Sequence, residues 1–215
     1  MKTEIILVRH GESLGNATRT MLGHTDLDLS ELGYAQAELT AAELLRRRID
    51  AVYSSDLIRA YHTAEPHAKL RGIPICASKN LRELFIGDWE NMRVDDIIAC
   101  YGEDMFKVDW HGNFGLFAFP GGESVQGGCD RFYSEVERIA LENEGKTLLI
   151  AAHAAVIRAF YARVLGIPPE RIAEALPFPT NASYSVVLHD SEGFCAVEYS
   201  HDEHLAELGI TRVNT

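Results

Sequence analysis

Three short apolar runs, residues 5–8, 51–53 and 147–152, set the tightest constraint on this chain. Each is too short for a buried helix, and each has the unbroken apolar character of a strand covered on both faces. Between the first two, helical spacing extends from about residue 30 to 48, opened by Ser30 with the acidic Glu31 in its first turn. After the second run, Asp56 is placed to cap a helix from about residue 57 to 70. After the third, residues 154–165 read as a helix stopped by Gly166 and the Pro168, Pro169 pair. Strands alternating with helices predict an α/β fold, a three-layer α/β/α sandwich around a mainly parallel sheet. Residues 183–189 and 194–199, flanking a turn at 190–193, predict a hairpin that completes the sheet. The Gly- and aromatic-rich stretch 85–128 has a helical patch only near 94–101 and precedes a helix at about 123–142. We expect it to be an irregular insertion over the active-site edge of a single domain spanning 1–215.

The chain has 215 residues, 47% of them hydrophobic, enough to bury a full core. No stretch approaches the roughly eighteen apolar residues of a membrane span, and the start MKTEIILV lacks the pattern of a signal peptide, so a cytoplasmic protein is expected. Cys76, Cys100, Cys129 and Cys195 are widely spaced with no C-x-x-C pair, which points to reduced thiols and neither a zinc nor a redox motif. With 20 basic against 32 acidic side chains the net charge is -12, the wrong sign for a nucleic-acid or anionic-membrane binder. An anionic ligand therefore needs a local concentration of positive groups.

Such groups stand at the carboxyl ends of the predicted strands, where ligands bind in parallel α/β sheets and helix N-termini also point. Arg9 and His10 follow the first run, Arg59 lies one turn into the helix after the second, and His153 follows the third. Two guanidinium groups and two imidazoles converging on one edge suit a tetrahedral oxyanion, phosphate above all.

LVRHGESLGN, SSDLIRAYHTAE, LRELFIGDWE, PGGES and AAHAAVIRA occur in that order along the chain, and together they resemble the histidine phosphatase superfamily in its phosphoglycerate-mutase-like branch. The NASYSVV stretch near Asn181 fits the family's closing strand. The resemblance implies that His10 is a nucleophile forming a phosphohistidine and that Arg9, Arg59 and His153 hold the phosphoryl oxygens. It further implies that Asn16 contacts the phosphate and that Glu83 is the proton donor, with Glu12, Asp88 and Glu90 as competing acids. The chemistry needs no metal and no cofactor, since arginines can neutralise the phosphoryl charge. Where the family usually has two glycines after the second histidine, this chain has Ala154 and Ala155, whose methyl groups would narrow the pocket.

Other features carry plainer expectations. Arg158 reads as a salt-bridging helix residue. The HDEH cluster at 201–204 lacks metal-ligand spacing and reads as solvated or capping. PGGESVQGG lacks the Lys-Ser/Thr ending of a nucleotide loop, and Glu123 and Ser124 either line the pocket or cap the following helix. His24, His62, His67, His111 and His189 suggest no role. Within 91–126 the basic residues are Arg93 and Lys107, against Phe106, Trp110, Phe114, Phe117 and Phe119. That balance favours a phosphatase acting on a small, partly apolar phosphomonoester over a phosphoglycerate mutase or a non-catalytic binding module. The sequence is silent on oligomeric state.

Overall fold

The computed structural model describes residues 1–208. The apolar runs are strands β1 (Thr3–Arg9), β2 (Ala51–Ser55) and β4 (Thr147–Ala152), joined by β3 (Ile75–Ser78) and the hairpin β5 (Tyr184–Asp190) and β6 (Gly193–His201). All six form one sheet of order β3-β2-β4-β1-β5-β6. The first four strands of that order run parallel, and the hairpin adds two antiparallel strands at one edge. Strand β3 escapes the sequence pattern because it is an edge strand whose side chains are half-buried or exposed, so it shows no apolar run.

The helices are α1 (Leu14–Thr18), α2 (Glu31–Glu43), α3 (Ile58–Arg71), α4 (Val94–Tyr101), α5 (Val125–Glu142), α6 (Ala154–Val164) and the short α7 (Ile172–Ala175), and the insertion carries a π-helix, Met105–Gly112, besides the helical patch expected near 94–101. Side chains alternate across each strand, which assigns the layers. Ile6, Val8, Val52 and Leu149 pack with Leu44, Ala64 and Ala68 from the α2 and α3 layer. Ile5, Leu7, Leu148 and Ile150 pack with α5, α6 and the segment from Leu81 to Phe119. Among the described residues no helix is long and apolar enough to cross a membrane.

Two local expectations need correction. Asp56 does not cap α3: its carboxylate forms a two-pronged pair with Arg82, at 2.6 and 2.7 Å, and Asp26 Oδ1 instead accepts the Ile58 N–H at 2.7 Å. Arg158 makes no salt bridge among the described residues. It is buried, donates to the carbonyls of Leu176, Ile172 and Ala173, and lies 4.4 and 4.1 Å from the ring centres of Phe114 and Phe178. Neither Glu123 nor Ser124 lines the pocket: Ser124 caps α5 by accepting from Gly127 N–H, whereas Glu123 accepts from Arg131 and Phe85 N–H and does not cap.

Candidate active site

Strand register assembles the first pair of candidates. Arg9 pairs with Ala152 across β1 and β4, so His10 and His153, each one residue further on, emerge side by side with ring centres 5.3 Å apart. The His10 backbone is fixed on three sides. Its N–H donates to Ala152, and its carbonyl accepts from Ala182 N–H and Asn181 Nδ2. Gly11 has no room for a side chain, because a Cβ there would sit 2.4 Å from the Gly33 carbonyl oxygen. The turn after His10 therefore closes tightly onto the start of α2.

The ring of His10 is equally defined. Nδ1 lies 2.7 Å from the Gly11 carbonyl oxygen, which can only accept, so the proton sits on Nδ1 and Nε2 keeps its lone pair. Burial, reinforced by the charges of Arg59 and Arg9, holds His10 well below the usual histidine range. Burial and Arg59 do the same to His153, whose two ring nitrogens have no hydrogen-bond partner. Both imidazoles are neutral at pH 7.

Arg9 and Arg59 are 1% and 2% exposed, yet neither forms a salt bridge among the described residues. Arg9 donates to Pro179 O at 2.6 Å, while Arg59 donates to Gly23 O at 2.7 Å and Thr25 O at 3.0 Å. Burial lowers each to about 10, with Glu83 acting in the opposite sense, so both remain charged. A buried guanidinium with only carbonyl partners leaves positive charge uncompensated, which an entering anion relieves. Asn16 belongs to the capping box of α1, and its Oδ1 accepts from Ser13 N–H, Ser13 Oγ and Asn181 Nδ2. That leaves its amide donors for the pocket.

Glu83 approaches from the other side of the pocket. Its carboxylate accepts Ala155 N–H at 3.0 Å and Val156 N–H at 3.2 Å, the open donors at the start of α6, together with its neighbour Leu84 N–H. Of the competing acids, Glu12 bonds Ser30 Oγ, and Glu90 accepts from His24 N–H, Thr25 N–H, Thr25 Oγ1 and Ile86 N–H. Neither Glu12, Glu90 nor Asp88 lines the pocket.

Arg9, His10, Asn16, Arg59 and Glu83 share a pocket of about 610 Å³, mouth included. His153 lies directly behind, fully buried against His10. Ala154 and Ala155 also line the space, as do Met21, Leu22, Ile86, Trp110, Phe119 and Phe178. Of the aromatic residues singled out in the insertion, only Trp110 and Phe119 reach it. Phe106, Phe114 and Phe117 are packed into the core, part of it around Trp89. Phe178, outside the insertion, completes the aromatic wall. The HDEH cluster lies elsewhere. His201 pairs with Glu198 and His204 with Thr40, and among the described residues no three His, Cys, Asp or Glu side chains are grouped to hold a metal ion.

Sequence reasoning missed the supports of this site. Glu90, weighed only as a rival acid, organises the loop whose carbonyls hold Arg59. Arg131 donates to Asn80 O, Arg82 O, Glu83 O and both oxygens of Glu123, pinning the segment that carries Glu83. The available signal was the spacing of Glu123 and Arg131 eight residues apart on and before one helix, which by itself reads as an ordinary surface pair.

The sequence model of the histidine phosphatase superfamily (branch 1) matches residues 5–202. Phosphoserine phosphatase 1 of Hydrogenobacter thermophilus is 32% identical over 208 residues, covering 96% of each chain. Phosphoglycerate mutase-like protein 4 of Arabidopsis thaliana is 32% identical over 210 residues, 96% of this chain and 89% of the relative. The solved structure of mycobacterial glucosyl-3-phosphoglycerate phosphatase superposes with a TM-score of 0.84 at 26% identity, over 94% of this chain and 100% of that one. With a match of this extent and a pocket built from its own strand ends, the chain belongs to the histidine phosphatase superfamily, branch 1.

Proposed function

We propose that this chain is a metal-independent phosphomonoester hydrolase that works through a phosphohistidine on a small phosphorylated metabolite. The observation that carries the reading is the pair of fully buried, unpaired guanidinium groups beside a neutral His10 whose Nε2 is free to attack. In the first step Nε2 forms a bond to phosphorus as the bond to the ester oxygen breaks, and that oxygen takes a proton from the Glu83 carboxyl. Arg9 and Arg59, with His153 and the Asn16 amide, stabilise the charge spread over the equatorial oxygens. In the second step water attacks the phosphohistidine, Glu83 receives its proton, and His10 leaves with its lone pair restored.

A mutase would have to hold a second anionic group of its substrate. Arg93 and Lys107, the basic residues of the insertion, lie outside the pocket with side chains 56% and 63% exposed, beside Asp95 and Glu103. This supports hydrolysis over phosphoryl return to a bound sugar acid. The test is turnover of a phosphomonoester in a strong chelator, with the acid-labile phosphoryl group trapped and located. The expected outcome is undiminished activity, label on His10, and a loss on the order of 10³-fold or more in His10→Ala. Label on another residue, or activity that vanishes with chelation and returns with a divalent metal, overturns the proposal.

A further inference from the structure

Resting on the phosphatase reading, we infer that the leaving group this pocket takes is uncharged and apolar or ring-bearing, and that phosphorylated amino acids and sugar acids are poor substrates. The pocket is strongly segregated. Its charged side chains, Arg9, Arg59 and Glu83, lie where the phosphate and the departing oxygen would sit, and among the described residues it has no other charged group. Most of the remaining wall is apolar, made by Met21, Leu22, Ile86, Trp110, Phe119 and Phe178 with the methyl groups of Ala154 and Ala155, and its uncharged polar side chains beyond His10 and Asn16 are Ser13 and Thr20.

A carboxylate or ammonium group placed against that wall would lose water without gaining a charged partner, which is strongly unfavourable. The cations of the insertion are spent on the surface, as described above. Arg158, in α6 behind Phe178, does not line the pocket: its Nε and Nη2 donate to backbone carbonyls, its Nη1 is buried without a partner, and the rings of Phe114 and Phe178 stand over its guanidinium. The rings of the wall are in mutual contact. Trp110 packs with ring centres 4.8 Å from Phe119 and 5.7 Å from Phe178, so the three rings present one continuous apolar face. A phosphate ester with a phenyl or short alkyl tail matches the chemistry of this lining. Trp110 is thereby the chief specificity-determining residue.

The experiment compares kcat/KM for 2-phenylethyl phosphate, hexyl phosphate, O-phospho-L-serine and 3-phosphoglycerate, all alkyl esters, which limits differences in leaving-group chemistry. We expect the two apolar esters to exceed the two charged ones by at least tenfold. In Trp110→Leu and, separately, Phe119→Leu, the advantage should shrink several-fold, mainly through KM of the apolar esters, with inhibition by inorganic phosphate unchanged. Calorimetric binding of the matching non-hydrolysable phosphonates should give the same ranking. A preference for phosphoserine or 3-phosphoglycerate in either measurement, or an advantage of the apolar esters that is undiminished in both folded variants, overturns the inference. Apolar phosphonates binding best while no ester is hydrolysed would support the leaving-group class and refute the phosphatase reading, so the two fail separately.

Discussion

Glu90 shows how far a single carboxylate can reach into phosphate binding without touching the ligand. It accepts His24 N–H and Thr25 N–H at 2.7 Å each and Thr25 Oγ1 at 2.5 Å, and the loop so shaped offers Gly23 O and Thr25 O to the Arg59 guanidinium. Hydrogen bonds to a charged group are worth about 1.5–3 kcal/mol each. Glu90→Gln keeps the shape but loses the charge and one acceptor, so Arg59 loses its fixed orientation. The inhibition constant of inorganic phosphate should rise roughly tenfold, the equivalent of one such bond. An unchanged phosphate constant would show that Arg59 needs no such support. Glu83 acts at the other end of the reaction, and its substitution separates by leaving group. Glu83→Gln should slow alkyl phosphates by about 10² to 10⁴-fold, the usual worth of a positioned acid, and an aryl phosphate with an acidic leaving group much less. Equal losses on both esters would reduce Glu83 to a positioning role.

The element that carries Glu83 is an irregular segment rather than a helix or strand, so its geometry must be imposed from outside. Arg131 on α5 does this from below with five hydrogen bonds, three of them to the carbonyls of residues 80, 82 and 83. Asp56 holds Arg82, and His24 Nε2–H donates to the Glu83 carbonyl. Lysine carries the same charge but cannot reproduce a planar fork of five donors. Arg131→Lys should therefore lower kcat on alkyl phosphates by about tenfold and leave aryl phosphates nearly untouched, the signature of a displaced proton donor at modest scale. Equal effects on both esters, tracking the melting temperature, would make Arg131 a stability residue only. This division also explains what was legible in the sequence. β1, β4 and α6 announce themselves because strand and helix periods are local, and His10 and His153 follow because register is set by those strands. The Asp56–Arg82 pair, the Glu90 clamp and the aromatic wall depend on segments folded back from 26, 66 or 68 residues away, as with Phe178 against Trp110. Local spacing therefore assigned Asp56 to a cap and Arg158 to a salt-bridging helix position, and composition alone could not separate Phe114 and Phe117, which pack in the core, from Trp110 and Phe119, which reach the pocket.

For the molecule as a whole, the buried histidines set how stability responds to acid. His10 and His153 lie well below the usual range, burial holds His67 at about 3, and burial with the charge of Arg158 holds His111 at about 4. In the unfolded chain each takes up a proton near pH 6.5. Below that pH the unfolded state therefore binds protons that the native state refuses, and stability falls as pH falls, each histidine contributing up to about 1.4 kcal/mol per pH unit. The native carboxylates work in a lower window. Glu135, held at about 2 by Arg138, Ser78 and Asn80, withdraws its contribution only as pH drops below the ordinary carboxylate range. The decline should thus begin near pH 6.5, well before carboxylates titrate. His67 isolates the effect, because it lies on α3 outside the pocket, is fully buried, and has no hydrogen bond to either ring nitrogen. Its charged neighbours, Arg71 and His204, push in the same direction as burial. In His67→Leu the unfolding free energy, measured by denaturant titration between pH 7 and 4.5, should fall less steeply than in the wild type by up to about 1.4 kcal/mol per pH unit. Parallel curves for the two proteins would mean that His67 accepts its proton in the native state, and the acid sensitivity would then have to come from His10, His153 and His111.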